Sequence, residues 1–171
     1  MLEIKVIKTQ NYSEIQLQKI SNAVKKMEKV FNSKVFKYQV LAFESQGKIG
    51  FSYKKNWFSS FEKFKNDQVY HFIMNPKEGI TENETATIEL YLSLESGDLI
   101  NIKEMSLPEE LWIHTNLMFF ELATESELAG HFAHEWCHKL GFCHSKYNWQ
   151  DPNRNYSVPY AIGNLVETLS S

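Results

Sequence analysis

The stretch AGHFAHEWCHKLGFCHS, residues 129–145, holds four of the six histidines in this 171-residue chain. Two of them, His134 and His138, stand four apart. On a helix that spacing is one turn, so both imidazoles reach a single cation at about 2.0–2.1 Å. Glu135 lies beside them, placed to reach a water on that cation rather than the cation itself. Gly141 follows, and then His144. A ligand six residues beyond His138 cannot share its helical face, so the chain must leave the helix and fold back. Gly141 permits that turn. Three histidines leave the fourth tetrahedral position open, the condition for a catalytic rather than a structural ion. The expected chemistry is hydrolysis, in which zinc acidifies a water and Glu135 takes its proton as it attacks a carbonyl. Three imidazoles favour zinc among the divalent metals.

The elements that must position this set are legible in part. Thr124 with Glu127 forms a capping box and Gly141 supplies a left-handed closing residue, which predicts a helix from about 125 to 140. Leu128, Phe132, Trp136 and Leu140 make its apolar stripe, while His131, His134 and His138 fall on another side. At the N-terminus, EIKVI alternates as a half-buried strand does. From Ser13 the period changes: Leu17, Ile20, Val24, Met27 and Phe31 recur at three and four residues, an amphipathic helix of about five turns. Ser13 with Gln16 caps it, and Asn32-Ser33 marks its exit.

Strand signals then dominate, at 35–43, 69–74, 86–94 and 111–120, separated by turn-rich pieces at 45–50, 75–79 and 96–98. Residues 51–66 read as a strand followed by a short helix. A last short helix is expected at about 161–169. No repeat, low-complexity segment or linker divides the chain, so one α/β (α+β) domain over 1–171 is expected.

Composition narrows the partners. With 43% hydrophobic and 14% aromatic residues, the chain can build a core and is not expected to be disordered. Eighteen basic against 21 acidic residues give a net charge of −3, and the basic ones are interspersed with acidic ones, so no nucleic-acid partner is expected. Apolar runs such as 117–120 are too short to span a bilayer, so no membrane partner is expected either. The N-terminus lacks a signal peptide's apolar stretch, which predicts a cytoplasmic protein, or a secreted one if a leader has been removed. The two cysteines, Cys137 and Cys143, both sit in the histidine-rich stretch and make no disulfide framework.

The pattern His134-Glu135-x-x-His138-x-x-Gly141-x-x-His144 resembles the extended zinc signature of the metzincin metallopeptidases, which include astacins, serralysins and matrix metalloproteinases. That resemblance implies a small metzincin-like catalytic domain: a twisted, mixed sheet, a long N-terminal helix and the zinc-binding helix. Its upper part would cover about 1–140 and a reduced lower part 141–171. One zinc ion would be held by His134, His138 and His144, with Glu135 as general base. Residues 111–120 would be the antiparallel edge strand along which a peptide or protein substrate lies, bound by a monomer. The chain departs from the family in having no methionine after Met118, so the methionine turn is missing. YSVPYAIG at 156–163 resembles that turn if Val158 takes the methionine's place, and Tyr160 then falls where the family has an oxyanion-stabilising tyrosine.

Other readings stand beside these. Glu167 in the last helix is the alternative third ligand, as in gluzincin peptidases. His131 is expected as a cleft-rim or hydrogen-bonding residue, since a fourth protein ligand would close the open position. Cys137 and Cys143 are expected as small packing residues, and His114 as an ordinary strand residue. Asn11, Asn83 and Asn155 begin N-x-S/T triplets, taken as chance without a secretory signal. A catalytically silent, zinc-containing binding or inhibitory module on the same fold is the second functional expectation. It is motivated by the missing methionine and by the lack of residues to spare for a latency segment.

Overall fold

A computed structural model describes residues 1–45, 48–49, 51–53, 62–75, 87–97, 112–144 and 154–171. Strand β1 (Glu3–Gln10) leads into helix α1 (Glu14–Phe31), whose first turn carries the expected capping box between Ser13 and Gln16. Its buried face is Ile20, Ala23, Val24, Met27, Val30 and Phe31. At its exit the Asn32 side chain brackets Leu2, accepting from its N–H and donating to its carbonyl at 2.8 Å each. The first strand is thereby tied to the end of the first helix.

Next come α2 (Lys34–Leu41), the short strands β2 (Glu44–Ser45), β3 (Lys48–Ile49), β4 (Phe51–Tyr53) and β5 (Glu62–Phe64), and α3 (Asn66–Met74). The segments 35–43 and 69–74, expected as strands, are therefore helical. In each, the buried residues lie four apart, Phe36 with Val40 and Val69 with Ile73. Ser33 Oγ caps the first by accepting from Phe36 N–H at 3.0 Å. β-Branched and aromatic content misled because packing of an i, i+4 stripe overrides strand propensity. Of the segment read as strand then short helix, residues 54–61 lie outside the described residues.

Strands β6 (Thr87–Glu95) and β7 (Trp112–Asn116) complete a three-stranded sheet of order β1-β6-β7 in which both pairings are parallel. Ile88, Leu90, Leu92 and Leu94, one face of β6 as expected, are buried. The sheet is thus not mixed; antiparallel pairing is confined, among the described residues, to the ribbons β2-β3 and β4-β5. Among the described residues β7 lies at the sheet's edge, but it is parallel to its neighbour and ends at Asn116. There the Asn116 Oδ1 accepts from Phe119 N–H at 3.0 Å and starts helix α4 (Leu117–Leu122). A side-chain cap cut short the strand expected over 111–120.

The chain closes with α5 (Glu125–Lys139) and, after a 3₁₀ turn at Arg154–Tyr156, α6 (Val158–Ser170), which begins three residues earlier than expected. α5 packs on α1 and, most extensively, along α6, with Leu128, Phe132 and Trp136 fully buried. Lys26 Nζ and Ser126 Oγ both donate to the Ser170 carbonyl, at 2.6 and 2.9 Å, pinning the end of α6 to α1 and α5. The architecture is α+β: six α-helices among the described residues around a parallel sheet. Among those residues no helix is long and apolar enough to cross a membrane.

Tyr12, between β1 and α1, packs on Phe120 with ring centroids 5.4 Å apart. Its buried hydroxyl meets no partner in good hydrogen-bond geometry among the described residues. Burial pushes the phenol up to about 12, against a smaller downward pull from the Thr115 hydroxyl. The unfolded phenol ionises near 10, so folding keeps it neutral and the fold loses stability as pH rises from about 10 to 12. Tyr12→Phe is expected to leave stability at neutral pH equal or slightly higher and to remove an alkaline decline on the order of 2 kcal/mol. Urea unfolding across that pH window checks it.

Candidate metal centre

Helix α5 carries the site and both its ends are built for it. Thr124 Oγ1 accepts from Glu127 N–H at 3.2 Å, and Glu127 Oε2 accepts from Thr124 N–H at 2.6 Å, the capping box foreseen in the sequence. At the other end Gly141 takes φ +91°, and a Cβ there would meet nothing within 4 Å. The backbone angle, not space, therefore demands glycine. Gly141 N–H bonds to the His138 carbonyl at 2.9 Å and Phe142 N–H to the Cys137 carbonyl at 3.0 Å, a Schellman closure. The Phe142 ring, 3% exposed, then anchors the turned chain edge-on against Phe64 and Phe72, at 5.7 and 6.1 Å.

That turn brings His144 back to the helix. The Nε2 atoms of His138 and His144 each lie 3.2 Å from Nε2 of His134, and the three ligating atoms are all within 4.8 Å of one another. Two nitrogens bound tetrahedrally at 2.0–2.1 Å would stand about 3.3 Å apart, so the spacing fits one ion. His138 Nδ1 lies 2.7 Å from the Phe142 carbonyl, which directs the ring proton to Nδ1 and leaves Nε2 with its lone pair inward. Burial, and then the neighbouring His138 and His144, hold the His134 imidazole well below its usual range, which keeps it neutral for ligation. His134, His138 and His144 can hold a metal ion.

No family model, curated protein or solved structure matches this chain. Geometry alone must assign the remaining residues. Glu135, 6% exposed, is outside the three-histidine group but lines the same cavity as His134 and Tyr160. Tyr160 packs on two of the histidines, its ring centroid 4.5 Å from His134 and 4.7 Å from His144. The route that places it there differs from the expected tight turn: Ser157 is an N-cap, Val158 is fully buried, and Pro159 lies in the first turn of α6. Proline suits that position, because its missing N–H has no helical partner there anyway.

Glu167 stands apart from the three histidines, so the alternative ligand set is not the one brought together. His131 lines the cavity; its Nε2 lies 3.2 Å from Thr115 Oγ1, and burial lowers its pKa. His114 pairs with Glu95 at 3.1 Å, away from the group. Cys137 is buried and Cys143 half-buried, and neither is in a disulfide; burial pushes the Cys137 thiol up, so it stays protonated among its apolar neighbours.

Three features escaped sequence reasoning. Arg154, only 8% exposed, lays its guanidinium 4.5 Å from the Tyr160 ring centroid. Gly130 and Gly163 form the crossing of α5 and α6. A Cβ on Gly130 would sit 2.9 Å from both the Glu167 Cβ and the Gly163 carbonyl, and one on Gly163 would sit 3.0 Å from the Gly130 carbonyl and the His134 Cβ. The signal for this pair was present, since a glycine inside a helix usually has a packing reason. Gly130→Ala is expected to lower the melting temperature by roughly 5 °C, because overpacking outweighs the helix-propensity gain of alanine. Calorimetry of the metal-free protein measures it, and an unchanged or raised midpoint contradicts the close crossing.

Proposed function

We propose that this protein is a zinc-dependent endopeptidase of metzincin type. The observation that carries the reading is the convergence of His134, His138 and His144 through a Gly141 turn, with Glu135 on the same helix. Bound by those histidines, a zinc ion supplies Lewis acidity that polarises a carbonyl and acidifies water. Glu135, in the cavity beside His134, accepts the proton of the attacking water and returns it to the departing amine. Tyr160, whose ring packs on those of His134 and His144, would donate to the carbonyl oxygen as it gains charge. The peptide lies extended against β7, over residues 112–116.

One observation favours the second reading, a silent zinc-containing binding or inhibitory module. Ser157–Pro159 begins a helix, so no methionine turn supports the site from below. A diverse peptide mixture separates the two. It is incubated with zinc-loaded wild type, with chelated wild type and with Glu135→Ala, and the products are read by mass spectrometry. New cleavages from the zinc-loaded wild type alone support the peptidase. Equal cleavage by Glu135→Ala overturns the mechanism, and zinc binding by both proteins without any cleavage favours the module.

A further inference from the structure

A tyrosine on the first turn of a helix can swing its ring between rotamers, so the direction of its hydroxyl is set by what packs on the ring. Three groups close around the ring of Tyr160. The imidazoles of His134 and His144 pack on it at 4.5 and 4.7 Å between centroids, and the Arg154 guanidinium lies over it at 4.5 Å. Both histidines belong to the group that can hold a metal ion, so one ring joins that group to a residue outside it. Tyr160 lines the cavity together with His134 and Glu135, whereas Arg154 is not among the described residues that line it. The guanidinium backs the ring and leaves the space a substrate would fill.

Arg154 is held in that position through its main chain as well. Its carbonyl accepts from Ser157 N–H at 3.1 Å and from Ser157 Oγ at 2.6 Å. Ser157 is fully buried and is the N-cap of α6, so the turn carrying Arg154 and the helix carrying Tyr160 share one fixed residue. An arginine is seldom buried to 8% exposure, and burying one gives up much rotamer freedom. Over an aromatic face the guanidinium is attracted by the ring's quadrupole, and its N–H donors, which lie in the guanidinium plane, remain for other partners.

We propose that Arg154 is a positioning residue of the metal centre, holding the Tyr160 ring against His134 and His144 and so fixing the direction of the Tyr160 hydroxyl. The inference rests on the peptidase reading for the part Tyr160 plays in turnover. The holding of the ring stands on the three contacts alone.

The first test reads the ring directly. Isotope-labelled tyrosine rings are followed by NMR in the full chain, zinc-loaded and metal-free, each signal being assigned by the Tyr→Phe variant that removes it. In wild type the Tyr160 ring is expected to flip at least about tenfold more slowly than that of Tyr38, which is 69% exposed. Arg154→Met keeps an unbranched apolar stem and deletes the guanidinium. It is expected to speed the Tyr160 flip about tenfold and to leave that of Tyr12, which packs on Phe120, unchanged. A wild-type Tyr160 ring as free as Tyr38 overturns the proposal without any variant having to fold. A Tyr160 flip rate that Arg154→Met leaves unchanged overturns it as well.

Turnover of a cleaved peptide then locates the effect. Arg154→Met is expected to lower kcat about tenfold with KM and zinc stoichiometry unchanged, since an aimed hydroxyl acts in the transition state. In the Tyr160→Phe background there is no hydroxyl to aim, and the same substitution should change kcat by less than about twofold. An equal loss of kcat in both backgrounds means that Arg154 acts without Tyr160 and overturns the proposal. A ring released by Arg154→Met in a protein that cleaves no peptide supports the positioning role and sinks the peptidase reading. Cleavage by wild type, with a ring that Arg154→Met leaves as it was, sinks the positioning role alone.

Discussion

Glu135→Gln is expected to bind one equivalent of zinc and yet hydrolyse peptide about a thousandfold more slowly than wild type, the scale of a lost general base. The substitution is chosen for what it leaves intact. Glutamine has the shape and helix propensity of glutamate, so the buried position on α5 keeps its packing. Glu135 is not among the three ligating residues, so the coordinating nitrogens are untouched. What disappears is the carboxylate that accepts a proton, and with it the path from water to the leaving amine. Single-turnover kinetics with zinc stoichiometry measured on the same sample checks both halves. A rate within tenfold of wild type removes Glu135 from the mechanism; lost zinc instead means that its carboxylate supports the ion.

The elements that carry this prediction were legible in the sequence because their signals are local. Thr124 with Glu127, and Gly141 at φ +91°, lie within a turn of the positions they control, so spacing alone fixed both ends of α5. The same holds for Ser13 and Gln16 at the start of α1. What failed depended on partners distant in sequence. Val35 and Tyr38 of α2 are exposed while Phe36 and Val40 are buried, a division set by packing across the core and invisible in a run of strand-forming residues. Asn116 could be read as a strand residue or a cap, and the Phe119 N–H decided it. Gly163 was read within a turn-like YSVPYAIG, whereas its role is to let α6 approach His134. Tyr160 reached the site although its proposed local geometry did not hold, because Ser157 started α6 early enough to aim that face at the histidines.

The same long-range uncertainty surrounded the third ligand, and it yields a contrast between two variants. Excess zinc should stabilise wild type by about 2.7 kcal/mol when free zinc stands at 100 times the dissociation constant. In a chain of this size that is a rise of roughly 5–10 °C in melting temperature. His144→Ala deletes a nitrogen 3.2 Å from that of His134, and its effect must exceed the 10–100-fold loss typical of disturbing an outer-shell partner. At the same zinc concentration its thermal shift is therefore expected to vanish, whereas Glu167→Gln should keep the full shift, since Glu167 lines the cavity without joining the histidines. The reverse pattern would make Glu167 the ligand and His144 a loop residue. A partial shift in both would require the ion to sit between α6 and the turn after Gly141, a position the His138 to Phe142 bond opposes by aiming His138 Nε2 at His134.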